Sequence, residues 1–470
     1  MTEHGNINLS ADISTVKTHK RYVAFAGAMA GLLFGLDCGV MGGALPFVAS
    51  DMQLDSRLQE WVVSAMMFGA AIGAIATGKI ASVFGRKKSL FWGALLFALG
   101  SLGCAFAPNV DVLIACRAVL GFSIGITSYT GPLYLAEMSE KTTRGRLIAM
   151  YQLMCTFGIL VAFLSDTYFS FDADWRTMLG IVSLPAFILI ALVMRLPESP
   201  RWLAAKGEFA KAESVLHSLR ETKKEVENEL LEIKGTLSVK QAGWSLFKSN
   251  KNVRRVVFLG MLLMLMQQFT GINIIFYYAP TVFKLAGFAT STEQMISTVL
   301  CGVVNLLATI IAMRFVDKWG RKIILKIGFA IIAVSMVIIG ICMNMISNGA
   351  DYSWIPFVTV IITLICITGF AMSAGPIMWT LCAEIQPLKS REFGIACSTA
   401  TCWISSMILG ATFLTLVNTL GAAETFWLYA VLNIIFIAIT IMLIPETKGI
   451  SLELIEKNLM EGKDLKHIGL

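Results

Sequence analysis

GLLFGLDCGVMGGALPF, residues Gly31 to Phe47, is the stretch whose reading decides the fold. It lies inside an apolar run that starts near Tyr22 and carries one carboxylate, Asp37. An ionised Asp at the middle of a bilayer costs about 2.5–3.5 kcal/mol. Two readings compete. One is a buried helix of a soluble domain with a paired acid. The other is a transmembrane helix whose acid faces the protein interior as a proton or ion site. The remainder of the chain chooses between them.

Of the 470 residues, 56% are hydrophobic and only 15% charged, with mean hydropathy +0.72. A soluble domain is nearer 25% charged, so a water-facing exterior cannot hide this much apolar surface and lipid is the solvent. In lipid the backbone must satisfy its own hydrogen bonds, which leaves helices or closed barrels. The apolar runs are long and continuous rather than short and alternating, which selects helices. The net charge of +7 does not form a nucleic-acid face, because Lys and Arg gather in loops at alternate ends of the runs. The ten Cys lie in apolar runs without paired spacing and read as small core residues, not as a disulfide or metal framework. No cleavable signal peptide is read in the polar first twenty residues, and Met1 to Thr15 is expected to be a disordered tail.

Twelve spans are expected, at about 22–45, 59–81, 89–107, 112–135, 147–166, 176–196, 254–281, 294–315, 323–346, 354–383, 392–419 and 424–444. Positive charge follows the even-numbered spans: Arg86, Lys87 and Lys88; Lys141, Arg144 and Arg146; Lys318, Arg321 and Lys322; Lys389 and Arg391. The opposite loops, Ser170 to Asp174 and Ser347 to Ser353, are poor in it. Both chain ends are therefore expected in the cytoplasm, at an inner or plasma membrane. This divides the chain into a tail (1–21), a first six-helix half (22–197), a cytoplasmic linker of amphipathic helices (198–253), a second six-helix half (254–445) and a second tail (446–470). In the linker, Val226, Leu230, Ile233 and Leu237 stand at helical spacing.

The halves repeat. Phe84-Gly85-Arg86-Lys87 recurs as Trp319-Gly320-Arg321-Lys322, Gly131-Pro132 with Glu137 and Arg144 as Gly375-Pro376 with Glu384 and Arg391, and Pro197-Glu198 as Pro445-Glu446. Three pairs in one order mean duplicated halves, the build of a secondary transporter with its site between them at mid-membrane. A site for a ligand rich in hydroxyls needs amides, which donate and accept, and an aromatic face. Gln152, Gln267, Gln268, Asn273 and Asn305 are amides within spans. One isolated amide is more often interhelical glue, but the Gln267-Gln268-x4-Asn273 cluster favours a site. On a straight helix Gln268 and Asn273 would point about 140° apart, and Gly271 between them permits a bend that turns both onto one ligand.

These motifs carry a resemblance. Phe84 to Lys88, Glu137 with Arg144-Gly145, Pro197-Glu-Ser-Pro-Arg-Trp-Leu203, Gln267-Gln-Phe-Thr-Gly-Ile-Asn273, Gly320-Arg-Lys322, Gly375-Pro376 with Trp379 and Glu384, and Pro445-Glu-Thr-Lys448 occur in order. Over nearly its whole length the chain resembles the sugar porters of the major facilitator superfamily: all-α membrane proteins of twelve helices in two six-helix halves. Within them it looks most like the bacterial galactose–proton and arabinose–proton symporters, as in Gln59-Glu-Trp-Val-Val63 and Ala383 to Lys389. The resemblance implies sugar contacts at Gln152, Gln267, Gln268, Asn273, Asn305 and Trp379. Phe34, Tyr277 and Tyr278 are candidate walls, with ordinary packing an equal reading. It also implies that Asp37 pairs with Arg117 and couples transport to protons. Facilitators of the same family generally carry an amide there. Desolvation raises a carboxyl pKa and a nearby cation lowers it, so such a pair is suited to titrate. Asp166, at the outer end of the fifth span, is expected to face water.

Glu137, Arg144, Glu198 and Arg201 in one half, and Glu384, Arg391 and Glu446 in the other, flank the basic turns at Arg86 and Arg321, and the resemblance implies that these charges form ion pairs at the cytoplasmic face. These would hold the outward-facing state and break on inward opening. A lipid-anchoring positive face is the alternative. The chain also departs from its relatives. Cys402 and Ser406 stand where those symporters usually show Asn, so one donor–acceptor pair is missing if Cys402 faces the sugar. Ser82 stands where the second copy has Asp317, and Met313 where the first has Gly78. The expected function is proton-coupled symport of a galactose-, arabinose- or glucose-type monosaccharide by a monomer in the bilayer. The proton is the coupling ion, and no cofactor, metal or nucleic acid is expected. An uncoupled facilitator and a non-transporting sugar sensor are the rivals. An enzyme is disfavoured, since no nucleophile–base, metal or phosphate motif is seen and His4, His19, His217 and His467 lie in tails or linker.

Overall fold

The computed structural model describes residues 9–140, 143–237, 243–350 and 352–469. Eleven helices among them are long and apolar enough to cross a membrane. Spans 1 to 5 are Leu9–Asp51, Ser56–Phe84, Arg86–Ala105, Val110–Met138 and Arg144–Phe169, and span 6 is Trp175–Ile181 with Ser183–Met194. Span 7 is made in three pieces: Lys251–Gln268, Ile272–Tyr277 and Ala279–Leu285. Spans 8 and 9 are Ser291–Trp319 and Arg321–Ser347. Span 10 is Ile355–Ala371 with Ala374–Glu384, span 11 is Arg391–Gly410 with Phe413–Leu420, and span 12 is Ala422–Met442. With the broken seventh, these make the twelve spans of the major facilitator fold.

The first span differs at its start. Helix begins at Leu9 rather than near Tyr22, so the part of the expected disordered tail that is described is helical. Within the extension, Lys20 donates to Glu140 at 2.6 Å, in the loop that follows span 4. Residues 1–8 of that tail lie outside the described residues, as do the Lys141, Leu237, Asp317 and Lys318 side chains.

The duplication seen in the motifs is a duplication of packing. Span 1 lies on span 5, span 2 on span 4 and span 3 on span 6. Correspondingly, span 7 lies on span 11, span 8 on span 10 and span 9 on span 12. The halves meet along two seams, span 2 against span 11 and span 5 against span 8, with span 1 reaching the second and third pieces of span 7. Between the halves, Pro200–Ala205, Phe209–Leu219 and Lys223–Leu237 gather a small separate core of Leu203, Ala212, Leu216, Val226 and Ile233. The linker is thus helical, and the spacing of Val226 and Ile233 has its physical cause.

The glycines of the opening stretch have a packing role. Gly31, Gly35 and Gly39 recur every fourth residue and press span 1 onto the backbone of Tyr151, Cys155 and Ile159 in span 5. Small residues at this spacing let transmembrane backbones approach closely. A methyl at Gly35 would collide with the Cys155 carbonyl oxygen, which is backbone and cannot rotate away. Gly35→Ala is therefore expected to lose about 1–3 kcal/mol through overpacking. The loss would be read as a lower melting temperature of the purified protein, and an unchanged melt would contradict the contact.

Candidate functional site

The membrane interior of the first half holds one ion pair, formed as its residues demand. Asp37 is 0% exposed and accepts a hydrogen bond from Arg117 Nη1, and Arg117 is itself 0% exposed. Arg117 Nε reaches the Val62 carbonyl oxygen at 3.4 Å. The pair joins spans 1 and 4. Next to it, Cys38 Sγ lies 3.7 Å from the Tyr277 hydroxyl, so the charged pair stands one residue from a contact with the second half.

The amide cluster assembles at the break in span 7. Gly271, with φ +85°, ends one helix piece and starts the next, in a left-handed conformation that favours glycine. Asn433 of span 12 holds the break, its Nδ2 donating to the Thr270 carbonyl oxygen at 3.1 Å. The bend brings Asn273 Nδ2 onto Gln268 Oε1. Gln268 Nε2 reaches Cys402 Sγ at 3.0 Å, and Gln267 Nε2 donates to the carbonyl oxygens of Ala374 (3.1 Å) and Gly375 (3.0 Å) at the break in span 10. Gln267, Gln268, Asn273 and Cys402 are thus one connected group. Phe34 of span 1 meets Trp403 edge-on, with ring centroids 5.5 Å apart, placing aromatic surface from both halves beside it.

The other candidates are less joined. Gln152 and Asn273 are half-buried, Asn305 is buried and Trp379 is 40% exposed. Gln152, Asn305 and Trp379 make no direct hydrogen bond to the cluster among the described residues. Tyr278 is committed elsewhere: it is 1% exposed, donates to the Gly410 carbonyl oxygen at 2.7 Å and packs on Phe413. Asp166 does not face water. It is 0% exposed and lies against Gly43, whose missing side chain lets span 1 close over it.

The charged residues of the basic turns close within each half. Arg86 Nη2 donates to Glu137 Oε1 at 2.7 Å, and Arg321 Nη2 to Glu384 Oε1 at 3.2 Å. Glu198 Oε1 accepts from the backbone N–H of Arg86 (2.8 Å) and Lys87 (3.1 Å), while Glu446 accepts from those of Arg321 and Lys322, both at 3.0 Å. Arg144 and Arg391 hold the carbonyl oxygens of Ala136 and Gln386 instead. Arg201 Nε is buried without a partner. Of the expected ion pairs, Arg86–Glu137 and Arg321–Glu384 are formed, and each lies within one half.

Sequence reading missed Asn433. It is an intramembrane amide, the same signal that singled out the other five, and was findable on that ground.

A family model described as "Sugar (and other) transporter" matches residues 23–459. The arabinose-proton symporter of Escherichia coli (strain K12) is 57% identical over 449 residues, covering 96% of this chain and 95% of that protein. The galactose-proton symporter of the same strain is 56% identical, covering 95% and 96%. Among solved structures, the partially occluded inward open conformation of the xylose transporter XylE from E. coli superimposes with TM-score 0.80 at 26% identity. It covers 92% of this chain and 100% of that one.

Proposed function

The chain belongs to the sugar transporter family, and from that premise we propose that it brings a galactose-, arabinose- or glucose-type monosaccharide into the cell together with a proton. It is a multi-pass membrane transporter, not an enzyme. The end with the basic turns and the linker helices faces the cytoplasm, in an inner or plasma membrane, and one copy of the chain suffices. The Lys and Arg excess at that end supports this orientation.

The observation that carries the coupling is the buried Asp37–Arg117 pair. With Asp37 protonated from outside, Arg117 is released. Sugar then binds the span 7 amides, the halves rock, and Asp37 gives its proton to the inside and pairs again with Arg117. One proton crossing 100 mV supplies about 2.3 kcal/mol, enough for roughly 40–50-fold accumulation. The tail-end clasps, each closed within one half, let the halves move as rigid bodies.

At the sugar, Gln267, Gln268, Asn273, Gln152 and Asn305 supply paired donors and acceptors, with Phe34, Trp379 and Tyr277 as walls. Cys402 is a weak partner for Gln268, so a sugar hydroxyl can displace it. The test is external pH in a weakly buffered suspension of energy-starved cells, with each candidate sugar added in turn. Alkalinisation with one sugar is expected and identifies the substrate. Uptake without a pH change would establish the facilitator and leave Asp37 a structural role. Binding without uptake would establish the sensor.

A further inference from the structure

Glu60 lies at the start of span 2, the end opposite the basic turns, yet it is only 3% exposed. A carboxylate there would ordinarily stay in water. This one is taken by the other half of the molecule. Glu60 Oε1 accepts from the Thr415 backbone N–H at 2.6 Å, and Oε2 from the Thr415 hydroxyl at 2.7 Å. One turn outward, Asn418 Nδ2 donates to Ser56 Oγ at 2.9 Å. Thr415 belongs to Phe413–Leu420, the piece of span 11 set off from Arg391–Gly410 by a break at Ala411–Thr412. The break itself is pinned by Tyr278, whose hydroxyl holds the Gly410 carbonyl oxygen. Gly410 lies against Val63 and Met67 of span 2.

We propose that Glu60 is the latch of the outer gate: it positions the detached outer piece of span 11 against span 2 in the outward-closed state and lets go of it when the outer side opens. The physical reason is a difference between states. In the closed state Glu60 holds two charge-assisted hydrogen bonds. In the open state spans 2 and 11 part, and water takes their place. Only an interaction made in one state shifts the balance. Losing two such bonds corresponds to a shift of about 100-fold or more toward the open form. Glu60 touches neither sugar nor the coupling pair, so it acts through span 11 as a positioning residue.

The inference rests on the alternating-access reading above, but its test needs neither sugar nor proton. A reporter, Val63→Cys, is placed in the seam of the purified protein in detergent, and its reaction with a water-soluble maleimide is timed against the protein without the reporter. Val63 is 0% exposed, so slow labelling is expected. Adding Glu60→Ala is expected to speed it about tenfold or more. Glu60→Gln, which keeps an acceptor for the Thr415 N–H, should fall between. Thr415→Val, which removes only the hydroxyl, should speed labelling less than Glu60→Ala and add little on top of it. Equal rates in the parent, Glu60→Ala and Thr415→Val proteins would overturn the latch, as would Glu60→Ala and Thr415→Val effects that simply add. If Glu60→Ala does not fold, the Thr415→Val and Glu60→Gln rates alone decide.

Discussion

Asp37→Asn is expected to reduce sugar accumulation from about 40–50-fold at 100 mV to no accumulation at all, while exchange of sugar down its gradient continues. Asn has the shape of Asp and still offers Arg117 a carbonyl oxygen, so the spans 1 and 4 contact survives in outline. What it lacks is a site for a proton. Arg117, 0% exposed, is then left without a counter-charge, and breaking a buried pair from one side destabilises by about 3–5 kcal/mol. The measurement therefore compares uphill uptake with counterflow in the same vesicles. Counterflow reports folded, cycling protein, and only the ratio of the two isolates coupling. Accumulation that survives the change would remove Asp37 from the proton path.

Gln268→Ala should weaken sugar binding as strongly as any single change in the cluster. Gln268 stands between Asn273 and Cys402, so truncation removes its own contacts and frees the Asn273 amide. One lost hydrogen bond, at about 1–3 kcal/mol when a polar group is left unpaired, raises KM by roughly 5- to 150-fold. The maximal rate should change little, because no gate or charged pair is touched. Uptake kinetics at saturating proton gradient give the split. If KM stays put while the melting temperature falls, the cluster is interhelical glue and the sugar lies elsewhere.

How far these features were legible depended on the reach of their causes. The twelve crossings follow from long apolar runs, a property of adjacent residues, and were readable. So was the bend at Gly271, since a glycine between Gln268 and Asn273 has a local meaning. The early start of span 1 was not, because the polar residues before Tyr22 carry no apolar run to mark a helix. Asp166 looked wet at a span end, and it is dry because Gly43 of another helix has no side chain. Glu60 gave no signal at all. Its partner, Thr415, lies in the opposite half, and one carboxylate at a helix start reads as solvated until the fold joins them. The gate residues were recognised as charges that would pair. That the pairs close inside each half was not visible from their order along the chain.

Those self-contained clasps separate durability from speed. An ion pair that stays shut through a complete cycle adds nothing to the activation barrier of that cycle. If Arg86 with Glu137 and Arg321 with Glu384 stay shut, they make each six-helix body sturdier without slowing turnover. The rate is then set where the halves meet, at the Gly410 contact with Val63 and Met67, the Glu60 bonds to Thr415 and the Cys38 contact with Tyr277.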